Sequence, residues 1–196
     1  LVYVIYTSGS TGKSKGVLVK QHGLINHAVY MRDKYGVGAG DRVLQFITIS
    51  FDAAAEEIYP ALISGATLVL IHSAEELVGN RLIEFCRDQS ISILHLPAAV
   101  WHQALDEFIT KKQKFEAPVR LLILGGDNPD LVRLNAWTQT LDNPVRFINA
   151  YGPTETTITA TQYEILCVPG SLENYVRLPI GRPIANLKAY ILDDQL

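Results

Sequence analysis

The segment Tyr6-Thr7-Ser8-Gly9-Ser10-Thr11-Gly12-Lys13-Ser14-Lys15-Gly16 concentrates glycine, hydroxyl and lysine side chains more densely than any other stretch of the chain. Small residues let the backbone approach a ligand closely and offer N–H and O–H donors, while two lysines add positive charge. That combination suits a polyanion such as a triphosphate. Gly12-Lys13-Ser14 matches the end of the pattern G-x-x-x-x-G-K-[ST]. The glycine that should open the pattern would fall at position 7, which is Thr7. The loop should also lead straight into a helix, whereas residues 17–19 read as strand. A P-loop NTPase and a plain surface turn are therefore the competing readings of this segment.

Three further segments carry chemistry-bearing side chains: Phe51-Asp52-Ala53-Ala54-Ala55-Glu56, Asn149-Ala150-Tyr151-Gly152-Pro153-Thr154-Glu155 and Pro179-Ile180-Gly181-Arg182-Pro183-Ile184. Gly125-Gly126-Asp127 lies just past an apolar run. Each has a plain structural reading beside a functional one. Asp52 can cap the helical run AAAEEIYPALIS, Tyr151 can be a core aromatic, and Glu155 a solvated charge.

The elements that would position these residues alternate in type. Strands are expected at 1–6, 17–19, 41–49, 66–71, 91–96, 120–124 and 145–150. Helices are expected at 21–35, 52–64, 74–89 with Ser73 as its cap, 97–110 and 129–140, with Pro60 disturbing the second. Short, nearly all-apolar strands between helices argue for an α/β fold of βαβ units around a mostly parallel sheet. Beyond Thr161 only short strands with proline and glycine punctuation remain. Residues 1–165 thus read as an α/β core and 166–196 as the start of a β-rich part.

Composition narrows the classes. With 48% hydrophobic and 19% charged residues and a net charge of −3, the chain is neither disordered nor a nucleic-acid binder. No apolar run is long enough to span a bilayer. Cys86 and Cys167 have no metal or redox spacing and read as buried thiols in a reducing compartment, the cytoplasm. The chain opens and closes on apolar runs, so it reads as an internal piece of a longer protein. His22, His27, His72 and His102 have no ligand spacing, and Trp101 and Trp137 read as core.

In order, residues 6–16, 51–56, 149–155 and 179–184 resemble the signature motifs of the adenylate-forming, AMP-binding enzymes. That family includes acyl-CoA synthetases, luciferases and the adenylation domains of nonribosomal peptide synthetases. Ser14 stands where the family usually carries proline. The resemblance implies ATP and Mg²⁺ as cofactors. It assigns Thr7, Ser8, Gly9, Lys15, Thr154 and Glu155 to catalysis at the phosphates, with Glu155 also the metal ligand. Gly125, Gly126, Asp127, Asn149, Tyr151 and Gly152 fall to the nucleotide, with Asp127 replacing a more usual glutamate.

Asp52 after Phe51 is similar to the aspartate that anchors the α-ammonium in peptide synthetase adenylation domains. Relatives acting on fatty or aryl acids generally lack it, so an amino-acid substrate is implied. The family's substrate-lining positions carry over to Asp52, Ala53, Glu56, His95, Ile123, Gly125, Ala150, Ile158 and Thr159. Glu56 then puts a carboxylate on the wall of a small apolar cavity, where an unpaired charge wants a cationic partner. A basic substrate (Arg, Lys or ornithine) is expected; alternatively Glu56 points outward or pairs with His95, leaving room for a polar aromatic. Implied partners are a carrier domain with phosphopantetheine and a condensation domain, with no nucleic acid and no membrane. An acyl-CoA synthetase of the same family and a non-catalytic nucleotide-binding module remain alternatives. The family's ribose-binding aspartate and mobile catalytic lysine have no counterpart within these residues, so adenylation by residues 1–196 alone is not expected.

Overall fold

The computed structural model describes residues 1–8, 12–111 and 114–193. Strands β1 (Tyr3–Thr7) and β2 (Lys15–Val19) form their own antiparallel ladder, with Tyr3 opposite Val19 and Thr7 opposite Lys15. Then follow α1 (Gln21–Tyr35), β3 (Arg42–Gln45), α2 (Ala53–Ser64), β4 (Thr67–Leu70), α3 (Asn80–Asp88), β5 (Ile93–Pro97) and α4 (Ala98–Thr110). After these come β6 (Leu121–Gly125), α5 (Leu131–Thr138), β7 (Val145–Tyr151), β8 (Thr161–Cys167) and β9 (Arg182–Pro183). Among the described residues β4-β3-β5-β6-β7-β8-β9 make one sheet, parallel from β4 to β7 and antiparallel at β8 and β9. The fold is α/β with a mostly parallel sheet, as the alternation of elements implies.

The nearly all-apolar strands β5, β6 and β7 are buried because helices cover both faces. Ile93, Leu121, Ile123 and Ile148 pack with Met31 and Tyr35 of α1 and Ala61 of α2. Leu94, Leu96, Leu122, Leu124 and Phe147 turn the other way, toward Leu82, Trp101, Leu105, Leu134 and Trp137 of α3, α4 and α5. Trp101 and Trp137 meet edge to face at 5.4 Å. Residues after β8 return Leu172 and Leu178 to this second cluster. No helix among the described residues is long and apolar enough to cross a membrane.

Three local expectations are corrected. The helix expected over 74–89 is split into a short 3₁₀ turn, Ala74–Glu76, capped by Ser73, and α3. Gly79 between them adopts φ 61°, ψ −136°, which no helical residue can, and Glu107 Oε2 accepts from the Asn80 N–H at 3.2 Å. The strand expected over 41–49 stops at Gln45, because the Phe46 and Ile47 N–H groups donate to Glu57 instead of to a neighbouring strand. Helix α2 runs unbroken through Pro60, which is buried and held by packing rather than by its missing N–H.

Two arginines on the sheet hold the end of α1. Arg120 donates to Tyr35 O at 3.0 Å and Gly36 O at 2.9 Å while pairing Asp41 at 2.8 Å through both Nε and Nη2. Arg146 donates to Lys34 O at 2.7 Å and Tyr35 O at 3.1 Å. These contacts satisfy carbonyls that end the helix without an intrahelical donor.

Burial alone would push the Asp41 carboxyl up. Arg120, the Gly38 N–H and the Ser92 hydroxyl outweigh it and hold the pKa at about 2. A carboxyl depressed in the folded state contributes stability that is present above its unfolded pKa and lost as pH falls through the folded one. We expect about 1–2 kcal/mol of stability to disappear between roughly pH 4 and pH 2, the exposed edge of Arg120 reducing the full linkage value. Denaturant unfolding across that range should show the loss in the native chain and a flatter profile in Asp41→Asn. Identical acid limbs would refute it.

Candidate functional site

The parallel strands β5, β6 and β7 end side by side, with Pro97 opposite Gly125 and Leu124 opposite Asn149. Open α/β sheets bind ligands beyond such carboxyl ends, and here two cavities lie there. One, of about 360 Å³, is lined by Phe51, Asp52, Ala53, His95, Ile158 and Thr159 among others. The other, of about 630 Å³, runs past Gly126–Asn128, Tyr151–Pro153 and the 177–180 segment. Gly126, Ala150 and Gly152 belong to both walls, so the site is bilobed and its lobes join at those three residues.

The wider lobe collects Gly126, Asp127, Asn149, Tyr151 and Gly152. Tyr151 is half-exposed and offers a ring face. Asn149 is buried and spends its amide on Pro179 O at 2.8 Å, which ties the 177–180 wall to β7. Asp127 turns back onto the Asn128 N–H at 2.7 Å. Thr154 and Glu155 sit on the turn Thr154–Thr156, directly after Pro153. The Glu155 carboxylate is exposed and without an ion pair among the described residues. There too no group of three His, Cys, Asp or Glu side chains could hold a metal. A lone free carboxylate fits Mg²⁺ arriving with phosphate and water ligands, and no all-protein metal cage. Thr7 ends β1 and its hydroxyl lies 3.5 Å from Lys15 O. Ser8 and Lys15 are exposed. Gly9, with Ser10 and Thr11, lies outside the described residues.

The narrower lobe has Asp52 at its wall. Asp52 is not the helix cap expected of it: its backbone is already helical, at φ −64° and ψ −28°, and its side chain makes no capping bond. Burial pushes the carboxyl up, opposed by the Thr154 hydroxyl and the Ala53 and Ile158 N–H groups. Oδ2 is buried with no hydrogen-bond partner among the described residues. An incoming ammonium would supply the contact that this oxygen lacks.

The chain doubles back between β7 and β8 to bring Ile158 and Thr159 to that wall. Ala160 donates to Tyr151 O at 2.8 Å, and a Cβ on Gly152 would lie 2.1 Å from Ile158 O. Thr157 and Ile158 both take positive φ, 67° and 68°. For a β-branched residue that is a strained conformation, of the kind that persists where surrounding contacts dictate it.

Glu56 departs from expectation. Its carboxylate is buried behind the floor rather than unpaired on the wall. Tyr35 Oη donates to Oε1, Thr159 Oγ1 to Oε2 at 2.7 Å, and His27 Nε2 lies 3.0 Å from Oε2. Burial would push Glu56 up, but His27, His95 and Tyr35 hold it below its usual range. His95 is pushed down, chiefly by burial, and stays neutral. Ile123 lies with His95 and Glu56 around a small void behind the floor. His27 and Tyr35 were missed by sequence reasoning. Their only signal is their place on the buried face of α1, where histidine and tyrosine more often serve as plain core.

Glu57, next along α2, meets the Phe46 and Ile47 N–H groups and fixes the turn that leads to Phe51 and Asp52. Burial outweighs those bonds and pushes its pKa up to about 9, so the carboxyl keeps its proton at neutral pH. Glu57→Gln should therefore unfold within about 2 °C of the native chain. Glu57→Ala strands two buried N–H groups and should lower the midpoint by about 4–8 °C. Equal losses in the two variants, measured by thermal unfolding, would mean that an ionised carboxylate holds the turn.

Comparison with known proteins matches this geometry. A model of the family described as AMP-binding enzyme covers residues 1–196. The isonitrile lipopeptide synthase of Streptomyces coeruleorubidus is 34% identical over 201 residues, covering 100% of this chain and 13% of its own length. Bacitracin synthase 3 of Bacillus licheniformis is 40% identical over 193 residues, covering 98% of this chain and 3% of its own length. The chain thus spans a small part of these relatives. Among solved structures, the AMPPNP-bound form of the nonribosomal peptide synthetase FmoA3 is similar with a TM-score of 0.85 and 26% identity, over 98% of this chain and 20% of that one. Its alpha-methyl-L-serine-AMP-bound form gives a TM-score of 0.84 at the same identity, over 98% of this chain and 21% of that one.

Proposed function

The chain belongs to the AMP-binding enzyme family, and on that premise we propose that it activates an amino acid as its aminoacyl adenylate. The observation that carries this reading is the bilobed site, with an Asp52 Oδ2 in its narrower lobe that has no hydrogen-bond partner among the described residues. In this reading the narrow lobe takes the amino acid, its α-ammonium on Asp52, and the wide lobe takes ATP. The two meet at Gly126, Ala150 and Gly152, where only small residues leave room for carboxylate and α-phosphate to approach.

A carboxylate is already nucleophilic, so the chain's task is to position it and to offset charge at the phosphates. Tyr151 and the Gly126 backbone hold the base, while Gly125 lines the narrow lobe and so stands on the amino-acid side. Thr7, Ser8, Lys15 and Thr154 face the phosphates, and Glu155 would hold Mg²⁺, which screens phosphate charge when bound. The carboxylate oxygen bonds to the α-phosphorus as the bond to pyrophosphate breaks. The sulfur of a phosphopantetheine thiol on a carrier domain then bonds to the acyl carbon as its bond to AMP breaks and AMP leaves, in an assembly that also holds a condensation domain. The likeness to a nonribosomal peptide synthetase and to bacitracin synthase 3 supports placing the chain in such an assembly.

The side-chain class turns on Glu56. A carboxylate held ionised behind Thr159 and His95 favours a basic substrate (Arg, Lys or ornithine). Its contacts with His27, Tyr35 and Thr159 favour an uncharged polar one, because they leave it no need of a cation.

ATP–pyrophosphate exchange by the full-length protein, screened across the amino acids, tests the proposal. At least one amino acid should support exchange. Asp52→Ala should raise the KM of that amino acid about 10–100-fold, the worth of a hydrogen bond to a charged group, with the KM for ATP unchanged. Exchange driven by fatty acids and not by amino acids would make the protein an acyl-CoA synthetase. Release of phosphate rather than pyrophosphate would make it an NTPase.

A further inference from the structure

Beyond the two lobes, α1 carries a buried polar side chain against the Glu56 carboxylate. His27 is 1% exposed, lies outside both cavities, and puts Nε2 3.0 Å from the Glu56 carboxylate. Thr159 donates to that same oxygen, Oε2, at 2.7 Å and also lines the narrow lobe. Only one side chain therefore separates the buried charge from whatever occupies the lobe. His95, the other imidazole near Glu56, also lines the lobe.

A buried carboxylate without a compensating group is strongly unfavourable. Its field also reaches farther in the interior than in water. With His95 kept neutral by its surroundings, His27 is the side chain placed to offset Glu56. Its Nε2, 3.0 Å from Oε2, shares that oxygen with Thr159 and leaves less of the carboxylate open to whatever occupies the lobe.

We propose that His27, from beneath the pocket floor, sets how much of the Glu56 charge a substrate side chain meets, and so decides between charged and uncharged amino acids. This rests on the reading of the narrow lobe as the amino-acid site. His27 is a positioning residue in this role, since it acts through Glu56 and not on the substrate. A cationic side chain and His27 compete for one carboxylate; an uncharged side chain leaves their contact intact.

The test uses matched substrates in pyrophosphate exchange by the full-length protein: lysine against norleucine, ornithine against norvaline, and arginine against citrulline. His27→Gln keeps a polar side chain at this position but removes the imidazole beside Oε2. It should raise the ratio of kcat/KM for charged over uncharged partners about tenfold, through the amino-acid KM and with the KM for ATP unmoved. Glu56→Gln should lower the ratio, and His27→Gln in the Glu56→Gln background should no longer change it.

His27→Lys places a fixed positive charge beside Glu56 and should move the ratio toward uncharged substrates. It carries the test if His27→Gln does not fold. An unmoved ratio in either His27 variant, or an ATP KM that moves with it, overturns the proposal. So does failure of both variants to fold while Glu56→Gln folds, which would leave His27 a purely structural role. Absence of exchange with every amino acid in the unsubstituted protein would instead refute the functional reading itself.

Discussion

A single buried carboxylate ties the site to the fold. Glu56 comes from α2, its partners His27 and Tyr35 from α1, and Thr159 from the turn before β8. Gln162 of β8 joins through the Tyr35 hydroxyl at 2.6 Å. A carboxylate so deep must have its lone pairs occupied. That requirement fixes the distance of both helices from the sheet and the place where the 152–160 turn lands. Beneath it, Arg120 and Arg146 clamp the last carbonyls of α1, which sets the height of Tyr35. The floor of the narrow lobe is thus the top of a polar network that runs down through the molecule.

The mouth of the site depends on backbone shape. Gly126 lies at φ 81°, and a Cβ on Gly152 would overlap the backbone of Ile158. Thr157 and Ile158 hold left-handed conformations that cost of order 1–3 kcal/mol each. That strain turns the Ile158 N–H toward Asp52 and the Ile158 side chain into the lobe. The carboxylate at the wall and the strained turn support one another, and the turn begins with Thr154 and Glu155. The wall of the narrow lobe beside Asp52 and the turn that bears Thr154 and Glu155 are therefore carried on one short stretch of chain.

Much of this was legible in order along the chain. The strands β5, β6 and β7 announce themselves as apolar runs because helices bury both their faces. Helix α1 begins and ends where its pattern and the following glycine say it should. The motif residues fall at strand ends because a parallel sheet leaves its functional loops there. Two of the misreadings, the length of β3 and the start of α3, share one cause, a side chain from elsewhere in the sequence satisfying the backbone. Glu57 takes the N–H groups that would have lengthened β3, and Glu107 meets the start of α3.

By itself, then, the sequence determined the layered α/β fold, the order of the motifs and the family they mark, because these rest on local periodicity and on residue types at fixed spacing. The tertiary structure alone decided that Asp52 has an oxygen with no hydrogen-bond partner among the described residues, that Glu56 is paired, and that His27 is what stands beside it. Those facts depend on how α1, α2 and the 159 turn meet. Charge compensation in a protein interior acts over a few ångströms of space, whatever the distance along the chain.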